Sequence, residues 1–314
     1  MDKNIIEMLK RVSKTIIEHG GMKLLDYLSS RYTYHSRDLW QELLAEGRIL
    51  INGTAATEEH ILAEGEEMEY IPRPIEEPPV DMDVRILLMD EDFIALDKPG
   101  DLPCHPSGCF FNHTLWALLK EGSLPGIPPM EQVRFVNRLD RETSGIVLLA
   151  RNSKAACKAT KSLKSPSSCK CYNVLVYGNF PDTLEANGWL YHDENALVSK
   201  RRSFSYTQPN STSESSSTFF TCLKRENGIS LLEAQLHTGR THQIRATLRS
   251  LGYPVVGDKL YGPDESIFLR FIAGKMTDED KKALILPRQA LHASRLSFDK
   301  YDIHSEAPFL QWAP

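Results

Sequence analysis

Four prolines fall within the eight residues Pro72-Arg73-Pro74-Ile75-Glu76-Glu77-Pro78-Pro79, and no other feature constrains the fold of this chain as much. Proline lacks a backbone N–H and fixes its own φ, so a run this dense joins neither a helix interior nor a central strand. Residues 73–79 therefore read as an extended linker with a separate folding unit on either side. The 314 residues suffice for about two domains, each with a core of its own.

Ahead of the linker the hydrophobic period changes. Ile5, Leu9, Val12 and Ile16 recur at spacings of four, three and four, which predicts a short helix over 5–17 within an N-terminal extension, 1–20. Leu24, Leu25 and Leu28 predict a second helix. A third begins behind the N-cap residue Ser36, with Leu39, Trp40, Leu43 and Leu44 on its buried face. Then Ile49-Leu50-Ile51 runs as a strand into Asn52-Gly53, a pair that tolerates the positive φ of a two-residue hairpin turn, and Met68-Glu69-Tyr70-Ile71 supplies a later strand. Residues 21–72 are expected to form a small helix-helix-β module.

Residues 80–314 alternate differently. Strands are predicted at Ile86–Met89 and Phe93–Leu96, around the acidic turn Asp90-Glu91-Asp92, and at 146–150, 172–177 and 231–236. Helices are predicted at 154–164 behind Ser153, and at 242–251 from Thr241 to the stop at Gly252. The Ser/Thr-rich stretch 211–218 fits either a flexible loop or an edge strand, and its composition favours the loop. The fold class is α+β, with a mixed, largely antiparallel sheet.

Two stretches carry chemistry. Asn137-Arg138-Leu139-Asp140-Arg141-Glu142-Thr143-Ser144-Gly145 sets Asp140 near two arginines, just before the apolar run Ile146 to Ala150. Adjacent cations favour the ionised carboxylate, the state of a nucleophile or proton acceptor. In Leu236-His237-Thr238-Gly239-Arg240-Thr241-His242-Gln243-Ile244-Arg245, Gly239 permits a sharp strand-to-helix turn. Arg240 then projects from a junction whose backbone N–H groups already favour anions. Arg245 and Arg249 share one helix face.

The net charge of −5 means that a polyanion must be met by a local basic surface. Lys154, Lys158 and Lys161 on one helix face, and Lys200-Arg201-Arg202, are the candidates. There is no P-loop, no dinucleotide fingerprint and no cluster of ligands at metal spacing, and the six cysteines read as reduced thiols. His237, His242 and His292 are expected to be hydrogen-bonding neighbours and not metal ligands, since no carboxylate or Cys partner stands at ligand spacing. Met1-Asp2-Lys3-Asn4 opens no signal peptide and no long apolar run follows, so the chain is expected in the cytoplasm without a membrane partner. A monomer is the default state.

In these residues the chain resembles the RluA-type pseudouridine synthases. Asn137 to Gly145 resembles that family's H-R-L-D-x-x-T-S-G signature, and His237 to Arg245 its T-G-R-T-H-Q-I-R element. Further matches follow in the family's order: Asp97 to Pro103 with His105-Pro106, Lys170 to Gly178, Val256-Gly257-Asp258, and Arg288 to Ala293. Six ordered elements are far more specific than any one motif. The module at 21–72 resembles the small alpha-L RNA-binding domain, on its helix pattern, Gly47 to Gly53 and Gly65.

The resemblance implies an enzyme that isomerises uridine in structured RNA by flipping the base, with ribosomal RNA favoured and transfer RNA second. No cofactor is needed, because the reaction involves neither redox change nor external water. Asp140 would be the essential aspartate, Tyr172 would stack on the flipped base or move a proton, and Arg240 would pair with Asp140. Arg138 would fill the gap left in the base stack, while Lys154, Lys158, Lys161, Arg201 and Arg245 would contact RNA. Asn137 stands where the family usually has His and keeps hydrogen-bonding capacity. The rival reading is a noncatalytic RNA-binding or ribosome-assembly protein retaining the fold. A hydrolase using Asp140 and Glu142 fits poorly, because residues two apart do not readily flank one glycosidic bond.

Overall fold

The computed structural model describes residues 13–32, 35–73, 77–194 and 196–310. The chain divides into two compact units, Met1–Glu77 and Pro78–Pro314.

In the first unit the described residues open with a strand, β1 (Ser13–Ile16), where the end of a helix was expected; most of the helix predicted over 5–17 lies outside the described residues. Thr15, Ile16 and Ile17 form a β-branched run, which loses side-chain freedom in a helix and packs well on a pleated surface. Lys14 also reaches Glu67 and Glu69 across the strand pair, at 2.8 and 2.9 Å. Helices α1 (Leu24–Arg31) and α2 (Arg37–Ala45) follow, the latter capped by Ser36 Oγ, which accepts the Leu39 N–H at 3.2 Å. Strands β2 (Ile49–Ile51) and β3 (Thr54–Ala55) form a hairpin through Asn52 and Gly53, both at positive φ (50° and 79°). With β4 (Glu67–Tyr70) they complete a sheet ordered β1-β4-β2-β3, and Leu24, Leu28, Trp40 and Leu43 pack with Ile49, Ile51 and Met68 in one core.

The second unit contains β5 (Arg85–Met89), β6 (Phe93–Lys98), α3 (Leu115–Glu121), β7 (Arg134–Phe135), β8 (Ser144–Ala150), α4 (Ser153–Ser162), β9 (Cys169–Tyr177) and β10 (Thr183–His192). It continues with β11 (Arg202–Ser205), β12 (Glu214–Glu226), β13 (Ile229–Leu236), α5 (Gln243–Ser250), α6 (Ser266–Ile272), α7 (Asp278–Leu284), β14 (Leu291–Phe298) and β15 (Tyr301–His304). The strands join in one mixed sheet of eleven, whose main path runs β11-β10-β12-β13-β9-β14-β8-β6-β5. All pairs among the described residues are antiparallel except β8 with β14.

The parallel pair depends on Gly145. Its φ is +107°, and a Cβ there would lie 2.4 Å from the Ala293 carbonyl oxygen. One core packs around β6, β8, α3 and α4, and a second around β9, β10, β12, β13 and α5; Tyr172 touches both.

Three boundaries differ from expectation. The Ser/Thr-rich stretch enters β12 at Glu214 instead of forming a loop through 218. Ser216 and Thr218 are buried there, the sheet pairs the strand on both sides, and Thr218 Oγ1 accepts from Gln243 Nε2 at 2.9 Å. The cap of α4 is Asn152, whose Oδ1 accepts the Ala155 N–H at 2.8 Å, and Ser153 is already helical. Helix α5 is entered through His242, in left-handed conformation, and not capped by Thr241.

Candidate active site

The loop between β7 and β8 carries Asp140, and several bonds hold it. Asn137 donates from Nδ2 to the Ile146 carbonyl at 3.0 Å and accepts the Leu148 N–H on Oδ1 at 2.7 Å, tying the start of the loop to β8. Asn at this position thus makes two backbone bonds at the loop base. The Thr143 N–H donates to the Asp140 carbonyl at 3.2 Å, closing a tight turn. Beneath it the fully buried Lys98 ammonium donates to the carbonyls of Pro99, Leu102 and Arg141 at 2.7, 2.9 and 3.1 Å. Burial pushes its pKa down to about 8.

Asp140 is met from the other core by α5. Arg245, in the first turn of that helix, donates from Nη1 to Asp140 Oδ2 at 2.7 Å. Its Nε and Nη2 donate to the two oxygens of Asp258 at 2.6 and 2.9 Å. Asp258 is fully buried, and its Oδ1 also accepts the N–H groups of Leu260 and Tyr261, both at 2.9 Å. The Tyr261 ring lies 4.9 Å from the Arg245 guanidinium carbon. Burial opposes ionisation of Asp140, but the positive charge of Arg245 outweighs it and holds the carboxyl below its usual range. The carboxylate remains about a third exposed (32%) and so stays within reach of a ligand.

Tyr172 projects from β9, where it pairs in register with Ala234 of β13 and Ala293 of β14. These small neighbours leave room for the ring beside the cleft. Burial, then the charge of Asp140, raises the pKa of its phenol, so it retains its proton at neutral pH. Arg138, Asp140, Tyr172, Arg240, His242 and Arg245 line one open cleft.

Two expected partnerships are corrected. Arg240 does not contact Asp140: its Nε donates to the Ser215 carbonyl at 3.1 Å and its Nη1 lies 3.5 Å from Glu214. Arg240 precedes α5, in a turn locked by Gln243, whose Oε1 accepts from Arg240 N and Thr238 Oγ1 and whose Nε2 donates to the Ser217 carbonyl and Thr218 Oγ1. That lock directs Arg240 toward the start of β12. Arg245, one turn into the structure, takes the place expected of Arg240. It is therefore not a phosphate contact, since it is 7% exposed and spends its guanidinium on two carboxylates.

Arg201 is likewise held, 2.5 Å from Glu265 with its side chain 13% exposed, which removes it as a free phosphate contact. Lys154, Lys158 and Lys161 stand exposed on α4, and Lys158 lies 3.6 Å from Asp299. Arg138 is exposed at the cleft.

Asp258, Tyr261, Lys98 and Gln289 complete the site. Gln289 donates to Thr143 Oγ1 and also helps to lower the Asp140 carboxyl. Asp258, Lys98 and Gln289 lie inside motifs named above, but their pairing with the Asp140 loop is long-range, and no local spacing encodes it.

Residues 92–250 match the family described as RNA pseudouridylate synthase. A protein of Synechocystis named as an uncharacterized RNA pseudouridine synthase is 31% identical over 241 residues, 76% of this chain and 79% of that one. Ribosomal large subunit pseudouridine synthase D of Pseudomonas aeruginosa is 26% identical over 306 residues, 93% of this chain and 89% of that one. Among solved structures, human RNA pseudouridylate synthase domain containing 1 shares the fold, with a TM-score of 0.56 at 24% identity, covering 76% of this chain and 89% of that one.

Proposed function

The chain belongs to the RNA pseudouridylate synthase family, of RluA type, and on that premise we propose that it isomerises a uridine of ribosomal RNA with Asp140 as the reacting carboxylate. In the reaction the N-glycosidic bond is cut, the uracil turns, and its carbon five is joined to the same ribose carbon. Carbon five loses a proton and N1 gains one, so the atoms balance without oxidant or water.

The observation that carries the reading is the Asp140–Arg245–Asp258 array, which holds one carboxylate ionised and partly open in a cleft. Arg245 takes the part of holding Asp140 ionised and aimed, a fork-shaped task for which a guanidinium is suited. Tyr172 stacks on the flipped base; a phenol that holds its proton this firmly acts poorly as a base at neutral pH, which favours stacking. Arg138 fills the gap left in the base stack.

The first unit is the RNA-binding module of alpha-L type, and Lys154, Lys158 and Lys161 add a phosphate-binding face. A cytoplasmic, monomeric enzyme is part of the proposal; no described helix is long and apolar enough to cross a membrane. Ribosomal RNA is favoured over transfer RNA because a relative named for the large ribosomal subunit aligns with 93% of this chain, first unit included.

Pseudouridine mapping in ribosomal and transfer RNA from a strain lacking the protein tests the substrate. The proposal expects one or a few ribosomal sites to revert to uridine and return on complementation. Loss confined to transfer RNA would overturn the choice of substrate.

A further inference from the structure

The two oxygens of Asp140 have different surroundings. Oδ2 receives Arg245 at 2.7 Å, whereas Oδ1 faces His242 Nε2 at 3.9 Å. His242 sits at the N-cap position of α5 with φ 57° and ψ 20°, a left-handed conformation that L side chains seldom adopt, and its side chain makes no cap bond. The conformation thus serves something other than the helix end.

What holds the ring is Tyr261. The two rings meet edge to face, centroids 5.5 Å apart at 82°, and His242 Nδ1 lies 2.9 Å from Tyr261 Oη. The Arg202 backbone N–H already donates to that oxygen at 3.0 Å. A phenol carries one proton, and here the adjacent acceptor for it is Nδ1. An Nδ1 that accepts leaves the ring proton on Nε2, the nitrogen that faces Asp140. Tyr261 is fully buried under the Arg245 guanidinium, so the same ring supports both groups that address Asp140. Burial, then the positive charge of Arg245, lowers the imidazole pKa and keeps the ring neutral.

We infer that His242 is a positioning residue for Asp140: fixed by Tyr261 as the Nε2–H tautomer, it gives Oδ1 a donor that closes on the carboxylate once substrate fills the cleft, while Arg245 holds Oδ2. At 3.9 Å the contact exceeds a hydrogen bond, so the donor is poised and not yet engaged. This inference rests on Asp140 being the reacting carboxylate.

The test uses the full chain and total RNA from a strain lacking the protein, labelled with 5-tritiated uridine, with tritium release as the readout. His242→Leu removes the donor, His242→Gln returns an N–H at the position of Nε2, and Asp140→Asn runs beside them. His242→Leu should lower kcat by roughly a hundredfold, the lower end of what one lost donor to a charged reacting oxygen costs, with little change in KM. His242→Gln should recover most of that loss.

In protein labelled with nitrogen-15 at histidine, the ring signal lost in His242→Gln should report a neutral imidazole protonated on Nε2, and Tyr261→Phe should abolish that preference. This spectrum decides the matter if His242→Leu fails to fold. A ring protonated on Nδ1, a His242→Leu enzyme with wild-type kcat, or a folded His242→Gln enzyme as slow as His242→Leu would overturn the inference. An inactive Asp140→Asn beside an unimpaired His242→Leu sinks this inference alone, whereas a fully active Asp140→Asn removes the reading of Asp140 and this inference together.

Discussion

Asp258 grips Arg245 through both carboxylate oxygens, at 2.6 and 2.9 Å, and thereby fixes the nitrogen that Arg245 offers to Asp140. The buried aspartate acts on the Asp140 loop through the arginine, and a compact ammonium cannot span both carboxylates in that geometry.

Arg245→Lys and Asp258→Asn are therefore expected to lower kcat by about a hundredfold or more, and Asp258→Asn, which leaves the buried guanidinium short of one charge partner, should also destabilise the fold by roughly 3–5 kcal/mol. Arg240→Lys, which alters a partly exposed contact to Glu214, should be milder on both counts. Rates and urea midpoints of the three variants check this. Arg240→Lys falling below Arg245→Lys in kcat would restore the pairing first expected from sequence.

Acid should weaken the fold through His292. It is 1% exposed, with Nδ1 2.9 Å from Ser144 Oγ and Nε2 3.0 Å from Ser305 Oγ, and burial pushes its pKa down from 6.5 to about 4. Between those values the unfolded chain binds a proton that the native state refuses, so stability is full above pH 6.5 and is lost as pH falls towards 4. The loss amounts to roughly 3 kcal/mol for a shift of this size. His292→Gln, compared with wild type by denaturant unfolding at pH 7, 6, 5 and about 4.5, should show a shallower decline. Parallel declines would remove His292 as the cause.

Part of the fold and of the candidate site is legible in the sequence because those signals are local. Asp140 lies between arginines before an apolar strand, Asn52-Gly53 announces a hairpin, and Ser36 caps its helix. What is not legible is decided by tertiary contacts. Arg240 and Arg245 are chemically alike, and only the Gln243 lock shows which of them meets Asp140. The strands at Ser13–Ile16 and Glu214–Glu226 differ from their expected forms because ladder pairing overrides a helical spacing in the first case and a loop-like composition in the second.

The lysine face of α4 makes a prediction in salt. If Lys154, Lys158 and Lys161 each neutralise a phosphate, replacing all three by Gln should flatten the slope of log affinity against log salt by about two to three units. Lys158 should contribute least, since it already lies 3.6 Å from Asp299. Discrimination between RNA sequences should hardly change, because phosphate contacts carry no base information. Titrations across a salt series on one RNA measure this, and an unchanged slope would make the lysines a solubilising face.

The most direct test is Asp140→Asn, assayed for pseudouridine formation and for RNA binding in parallel. The substitution preserves shape, removes the charge that Arg245 balances, and leaves the ground-state surface for RNA nearly unchanged. No detectable isomerisation together with near wild-type affinity is the predicted result. Pseudouridine formation within tenfold of wild type would contradict it and remove Asp140 from the chemistry.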